Sequence, residues 1–485
     1  MLKGIDMNVR LSGVFYFIML IGIVSAILLI LHIGNDMNST TLIPAKLNAI
    51  QKHLTSHISQ TFSSPVIIFI LQLIVIIVAS QVFAALFKMI GQPAVIGEIV
   101  AGIVLGPSLI GHFFPEISSF LFPKNALGNI QMLSQVGLIL FMFIVGMELN
   151  LESLKNKAKA AVIISHASIL MPYLLGVILA LYLYRLYSPG NIPFYAFALF
   201  LGIAMSITAF PVLARIIKER NMVHTRLGTM VLTCAAADDI TAWCLLAVVV
   251  AIVKAGSFNA SLYTIGLTII FIAIMLFVVK PLLRKAIEKK NADGKISRAS
   301  IALVFIVLLL SALTSELIGI HALFGAFIAG VIMPQSFNFR DQITAKTEDV
   351  ATILLLPLFF VFTGLRTEIG LLNDLGSWGV CLLITAVAVI GKFGGSALAA
   401  KVTGESTYSS LAIGTLMNTR GLVELVVLNI GYDLGVLSPQ LFTMFVIMAL
   451  ITTFMTNPVM NLLNRMYPRD VAELKYEQIK IAKTE

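Results

Sequence analysis

Charge is what this 485-residue sequence has least of. Only 12% of it is Asp, Glu, Lys or Arg against 59% hydrophobic, and its mean hydropathy is +0.98. Soluble domains carry about 25% charged residues. The deficit excludes an ordinary soluble domain and points to an integral membrane protein. Cysteine is also scarce. Cys234, Cys244 and Cys381 lie in apolar segments without CxxC spacing, so neither a disulfide framework nor a metal site is indicated. Acidic residues are the scarcer sign, 24 against 33 basic, for a net charge of +9. In a membrane protein that excess belongs to lipid-proximal helix ends, not to a nucleic-acid partner. Long polar stretches are absent too, so no appended soluble domain is expected, and neither an enzymatic activity nor a cofactor.

Apolar spans long enough for a bilayer dominate what is there. They fall near 12–33, 65–87, 94–114, 129–149, 159–187, 193–217, 226–253, 261–283, 299–319, 321–335, 351–367, 376–400, 407–431 and 438–464. The span at 321–335 is short and Gly-rich, so about 13–14 transmembrane helices are expected. Lys3 and Arg10 precede the first run as in a signal peptide. The run from Leu11 to Ile33 exceeds a usual h-region, so it reads as an uncleaved helix followed by a polar linker. Lys and Arg crowd alternate connections, notably Lys155–Lys159, Arg215–Arg226, Arg284–Arg298 and the tail after Tyr467. This bias puts both termini in the cytoplasm of an inner or plasma membrane.

Two halves of the chain resemble each other. Gly97-Glu98-Ile99-Val100-Ala101-Gly102 aligns with Gly325-Ala326-Phe327-Ile328-Ala329-Gly330. Leu140-Phe141 followed by Gly146 aligns with Leu358-Phe359 followed by Gly364, and Gly202–Ser206 with Gly414–Asn418. The order is the same in both halves, and the paired helices run oppositely on the orientation above. The expected fold is an all-α polytopic membrane protein built as an inverted-topology repeat. Its divisions are 1–64, an N-terminal helix and linker; 65–255, the first repeat; 256–298, a linking helix and basic loop; 299–466, the second repeat; and 467–485, a cytoplasmic tail. In each half the third matched segment carries helix-disrupting residues. Ser206-Ile207-Thr208-Ala209-Phe210-Pro211 has a mid-span proline, and Asn418-Thr419-Arg420-Gly421 places polar residues at the same depth. Irregular backbone at membrane depth is tolerated where it is enclosed by protein or lines a cavity. Paired interruptions therefore mark a binding site between two broken helices.

The intramembrane charges are Glu98, Asp238, Asp239, Lys392, Arg420 and Glu424. Asp238 and Asp239 sit mid-span between Leu227 and Val253. A charge there costs at least about 2.5 kcal/mol, and neighbouring carboxylates disfavour each other's ionisation. The pair is a candidate site for a cation, a proton, or both in turn. Helical neighbours point about 100° apart, so the two carboxylates cannot do the same job. Asp239 is expected to be the shared cation and proton site, and Lys392 to pair with Asp238. Arg420 suits a fixed role at the break, paired with Glu98 or with Glu424 at i+4. Ser206, Thr208, Asn418 and Thr419 are candidate supporting residues, and His166 and His321 candidate proton shuttles.

Four motifs carry a family likeness: Pro93-Ala94-Val95-Ile96-Gly97-Glu98, Ser206 to Arg215, Asp238-Asp239, and Asn418-Thr419-Arg420-Gly421-Leu422-Val423-Glu424. Together they resemble the cation:proton antiporter-2 family over residues 65–464, nearest the branch containing plant cation/proton exchangers. The resemblance implies a sodium/proton antiporter-like fold with two crossing broken helices. It also implies a homodimer whose six-helix core moves as an elevator, with Asp239 binding the cation or proton. Lys392 stands where electrogenic members carry a membrane lysine. Plant exchangers have Asn where this chain has Asp238, which favours electrogenic Na+/H+ exchange over electroneutral K+/H+ exchange. A cation channel, which would need a continuous pore, and a sodium-coupled organic anion symporter are the rival readings.

Overall fold

The computed structural model describes residue 25 and residues 64–470, apart from 124–126, 149–158, 191, 223–224, 256–257, 291–296 and 335–338. Among the described residues there is no strand. The first expected span, 12–33, lies outside the described residues apart from Ser25. Every expected span from 65 onward has a helical counterpart: eleven helices or straight helix pairs of spanning length, one bent pair and one short apolar helix.

The principal helices are α1 (Pro65–Met89), α2 (Ala94–Leu105), α3 (Leu127–Glu148), α4 (Lys159–Tyr187), α5 (Phe194–Ser206), α6 (Phe210–Glu219), α7 (Arg226–Ala255), α8 (Phe258–Ile274) and α9 (Arg298–Ile318). They continue as α10 (Ala322–Val331), α11 (Phe339–Asp349), α12 (Leu356–Leu365), α13 (Leu375–Val389), α14 (Gly395–Val402), α15 (Thr407–Met417), α16 (Leu422–Asp433) and α17 (Pro439–Met466). Residues 275–279, 350–355 and 390–394 are π-helical turns inside longer helices. Such turns concentrate at functional positions, and the last of them contains Lys392.

Glycines record the inverted repeat in contacts. A Cβ on Gly102 would lie 2.6 Å from the Val361 backbone, so α2 and α12 touch backbone to backbone. A Cβ on Gly330 would lie 2.1 Å from the Phe143 carbonyl, so α10 and α3 do the same. Gly102 aligns with Gly330 and Gly364 with Gly146, and these two contacts exchange when the halves are exchanged. Gly97 against Phe83 of α1 and Gly325 against Ser311 of α9 are a second equivalent pair. Without a hydrophobic drive between helices in lipid, such small-residue contacts supply much of the packing.

Two groups of helices result. α4 to α7 pack with α13 to α17 around the charged cluster; α2 and α3 pack with α10 to α12, with α9 against α10 and α1 against α2 at Gly97. The interrupted helices lie at the heart of the first group. Residues 207–209 and 418–421 are non-helical. Pro211 cannot donate to the Ile207 carbonyl; the helix resumes at Phe210 with the proline in its first turn, where a missing N–H costs little. The second break has no proline. It is held from outside: Thr453 Oγ1 accepts from the Arg420 N–H at 3.2 Å, and its one proton is shared between the Arg420 carbonyl and, a turn back, the Ala449 carbonyl, both at 2.8 Å.

Candidate ion-binding site

The two breaks face each other. The Ala209 N–H donates to the Thr419 carbonyl at 3.2 Å, and Thr208 Oγ1 reaches the Met417 carbonyl at 3.4 Å. A Cβ on Gly421 would lie 2.7 Å from a Val212 methyl, so that glycine lets the second break settle against α6.

Four broken ends leave unpaired backbone groups and dipole charge in the middle of the protein. Basic side chains cover the carbonyl end of α5. Arg420 donates to the Ala204 carbonyl at 3.1 Å and the Met205 carbonyl at 2.6 Å, and the Lys392 ammonium donates to the Ser206 carbonyl. Acids stand at the opposite poles. Glu424 is in the first turn of α16, and the Phe210 N–H that opens α6 lies near Asp239 without closing a hydrogen bond.

Asp238 and Asp239 are both fully buried and differently surrounded. Asp238 accepts from Ser165 Oγ at 2.6 Å, Ser168 Oγ at 2.9 Å and Thr208 Oγ1 at 2.9 Å, and lies 3.2 Å from Lys392 Nζ. Lys392 also donates to the Ser168 carbonyl at 3.0 Å. Neither carboxylate oxygen of Asp239 has a hydrogen-bond partner. One turn later on α7, the Trp243 indole N–H is likewise buried without an acceptor, and the ring stacks on Phe327 of α10.

The structure brings most of the named residues together. Lys392 meets Asp238, Thr208 completes the Asp238 cradle, and Arg420 lies 3.0 Å from Glu424. That contact is off the hydrogen-bond axis, so both Glu424 oxygens lack a donor. The Ser206 hydroxyl turns away to the Gly202 carbonyl at 2.7 Å and the Ile169 carbonyl, while its own carbonyl serves Lys392. Thr419 pairs with Thr456 at 3.2 Å, and the Asn418 side-chain oxygen is buried without a donor. Glu98 stands apart; its charged neighbour is Arg215, not Arg420. His166 bonds the Val162 carbonyl one turn back, and His321 caps α10.

Ser165 and Ser168 on α4, and Thr453 on α17, were not singled out by the sequence. A Ser-x-x-Ser spacing puts two hydroxyls on one helix face, but hydroxyls in apolar helices more often bond the carbonyl a turn back. Thr233, Thr241, Thr268 and Thr314 do so in this chain.

Residues 73–462 match the transmembrane sodium/hydrogen exchanger family. The chain belongs to that family. It is 42% identical over 407 residues to the Na+/H+ antiporter NhaS4 of Synechocystis sp., covering 84% of this chain and 98% of that protein. It is 41% identical to cation/H+ antiporter 17 of Arabidopsis thaliana, covering 80% of this chain and 47% of that protein. To K+/H+ antiporter 1 of Saccharomyces cerevisiae it is 33% identical, over 82% of this chain and 47% of that protein. The chain thus spans about half the length of these plant and yeast relatives. The fold matches that of the sodium proton antiporter MjNhaP1 from Methanocaldococcus jannaschii, with a TM-score of 0.62 at 16% identity, over 84% of this chain and 98% of that one.

Proposed function

We propose that the protein is a secondary-active antiporter exchanging a monovalent cation for protons, with Asp239 as the shared site. The observation that carries this reading is the contrast between adjacent carboxylates. Asp238 is saturated with donors, whereas neither oxygen of the fully buried Asp239 closes a hydrogen bond. A buried carboxylate without partners is tolerated only when a proton or a cation neutralises it. Because the two neutralise the same group, they occupy it alternately, and alternate occupancy couples their opposite fluxes. The bacterial, plant and yeast relatives, a Na+/H+, a cation/H+ and a K+/H+ antiporter, support this reading.

The preferred cation is Na+ and the exchange electrogenic. A cation held by both carboxylates competes with Lys392 for Asp238, and an ammonium that loses its partner in a low-dielectric interior gives up its proton. Asp239 and Lys392 then release two protons for one cation. The group formed by α4 to α7 and α13 to α17 carries the site past α1 to α3 and α9 to α12 as an elevator. The protein acts as a homodimer with both termini cytoplasmic.

Purified protein in proteoliposomes, given Na+, K+ or Li+ gradients with a pH dye at set membrane potentials, tests each element. Asp239→Asn is expected to abolish exchange while remaining folded and monodisperse; near wild-type exchange by that variant excludes the role. Wild-type exchange is expected to follow voltage. The second reading, electroneutral K+/H+ exchange, is favoured by the completeness of the Lys392–Asp238 network, which is what a static pair would show. A rate and end-point indifferent to voltage would select it.

A further inference from the structure

Lys392 is held by three acceptors, and one of them exists because of a proline on another helix. In an α-helix the carbonyl of residue i accepts from the N–H of residue i+4. The Ser168 carbonyl of α4 would take the N–H of residue 172, and residue 172 is proline, which has none. That carbonyl is instead the acceptor of the Lys392 ammonium at 3.0 Å. The same proline sits under the closest approach of the lysine's own helix. A Cβ added to Gly391 would lie 2.7 Å from Pro172 Cα, so the helix bearing Lys392 rests with almost no side chain between it and the proline. Residues 390–394 are wound as a π-turn at this contact, with Lys392 buried.

We infer that Pro172 is a positioning residue for ion exchange: it frees the Ser168 carbonyl as a dedicated acceptor for the Lys392 ammonium and, against Gly391, sets the distance at which the ammonium reaches it. This rests on the reading of Lys392 as a group that binds and releases a proton during transport. The sequence singled out Pro211 as the helix breaker of this half. Pro172 does not break its helix; α4 runs unbroken from Lys159 to Tyr187. Its contribution is a single carbonyl made available at the depth of the charged cluster. The charged groups around the ammonium are Asp238 and Asp239 on α7, Arg420 at the second break and Glu424 on α16. Of these, Asp238 already serves as one of the three acceptors, at 3.2 Å.

The test is the pH profile of exchange by the full chain in proteoliposomes. Pro172→Ala and Pro172→Gly each restore an N–H that competes for the Ser168 carbonyl. The ammonium form then shares one acceptor of its three with that N–H and is held less strongly, and the profile is expected to move to lower pH by about half a unit or more. Gly391→Ala, which pushes the two helices apart, is expected to move it the same way. Pro458→Ala, which removes the internal proline of α17, is expected to leave it in place. If folded Pro172→Ala or Pro172→Gly protein keeps the wild-type profile, the inference is overturned. Should neither fold, an unshifted profile in Gly391→Ala overturns it. Lys392→Gln separates this from the underlying reading. If Lys392→Gln itself keeps the wild-type profile, Lys392 carries no transported proton. If Lys392→Gln changes the profile and the proline variants do not, only the positioning role fails.

Discussion

Asp238 and Asp239 are chain neighbours, and a helix turns them to different surroundings. The 100° step between them sends one carboxylate to the hydroxyls of α4 and the first break, and the other to a place where neither of its oxygens closes a hydrogen bond. Removing one member of a buried ion pair leaves the other uncompensated and costs about 3–5 kcal/mol. Lys392→Met is therefore expected to lower the melting temperature of the purified protein, and Asp238→Asn/Lys392→Met to regain part of the loss. A double variant no more stable than the single one would show that the two groups are not coupled. The charged residues of the site were legible in the sequence because a charge in an apolar span has few reasons to be there. Ser165, Ser168 and Thr453 were not, because a hydroxyl can satisfy itself on its own helix and its sequence does not say whether it has.

Helices in this protein meet through glycine, and they break for two different reasons. The break at 207–209 has its cause in the chain, since Pro211 leaves the Ile207 carbonyl without a helical donor. The break at 418–421 has its cause in its neighbours. Thr453 takes the Arg420 backbone, and the Arg420 guanidinium is drawn to the carbonyl end of α5. Thr453→Val is accordingly expected to cut exchange while leaving the helical content by circular dichroism unchanged; full activity would show that the second break holds without it. The glycine contacts allow a sharper comparison. Gly330→Ala places a Cβ 2.1 Å from a backbone carbonyl of α3, and the variant is expected to melt well below wild type. Gly266→Ala on α8 meets nothing within 4 Å, and there alanine is expected to stabilise by up to about 1 kcal/mol as a better helix former. Equal melting temperatures for the two variants would refute the close-packing account.

Across the whole molecule, the two helix groups are tied unequally at their two ends. At one end Arg366, just after α12, lies 2.8 Å from Asp433 and 3.1 Å from the Asn429 side chain of α16, while the Glu368 N–H reaches Thr443 of α17 at 3.2 Å. At the other end the Asn457 side chain donates to the Gly91 carbonyl at 2.7 Å beside an open recess lined by Gln92, Arg220 and Asn461. If the groups slide past each other during transport, fixing the tied end stops it. Arg366→Cys/Asp433→Cys in a background lacking Cys244, treated with a short bifunctional thiol reagent, is expected to lose exchange in proportion to cross-linking. Undiminished exchange in fully cross-linked protein would rule out relative motion there. The sequence by itself determined the membrane class, the spans from 65 onward, the inverted halves and the charged residues. Each of these is written in hydropathy, in charge at forbidden depth, or in glycines and prolines whose effect is local to the backbone. Only the tertiary structure decided which carboxylate is saturated and which is bare, that Glu98 stands with Arg215, and that Pro172 serves Lys392. Those outcomes depend on where a donor from one helix falls against an acceptor from another, and residues 168 and 392 become neighbours only when α4 and the π-turn at 390–394 pack at Gly391.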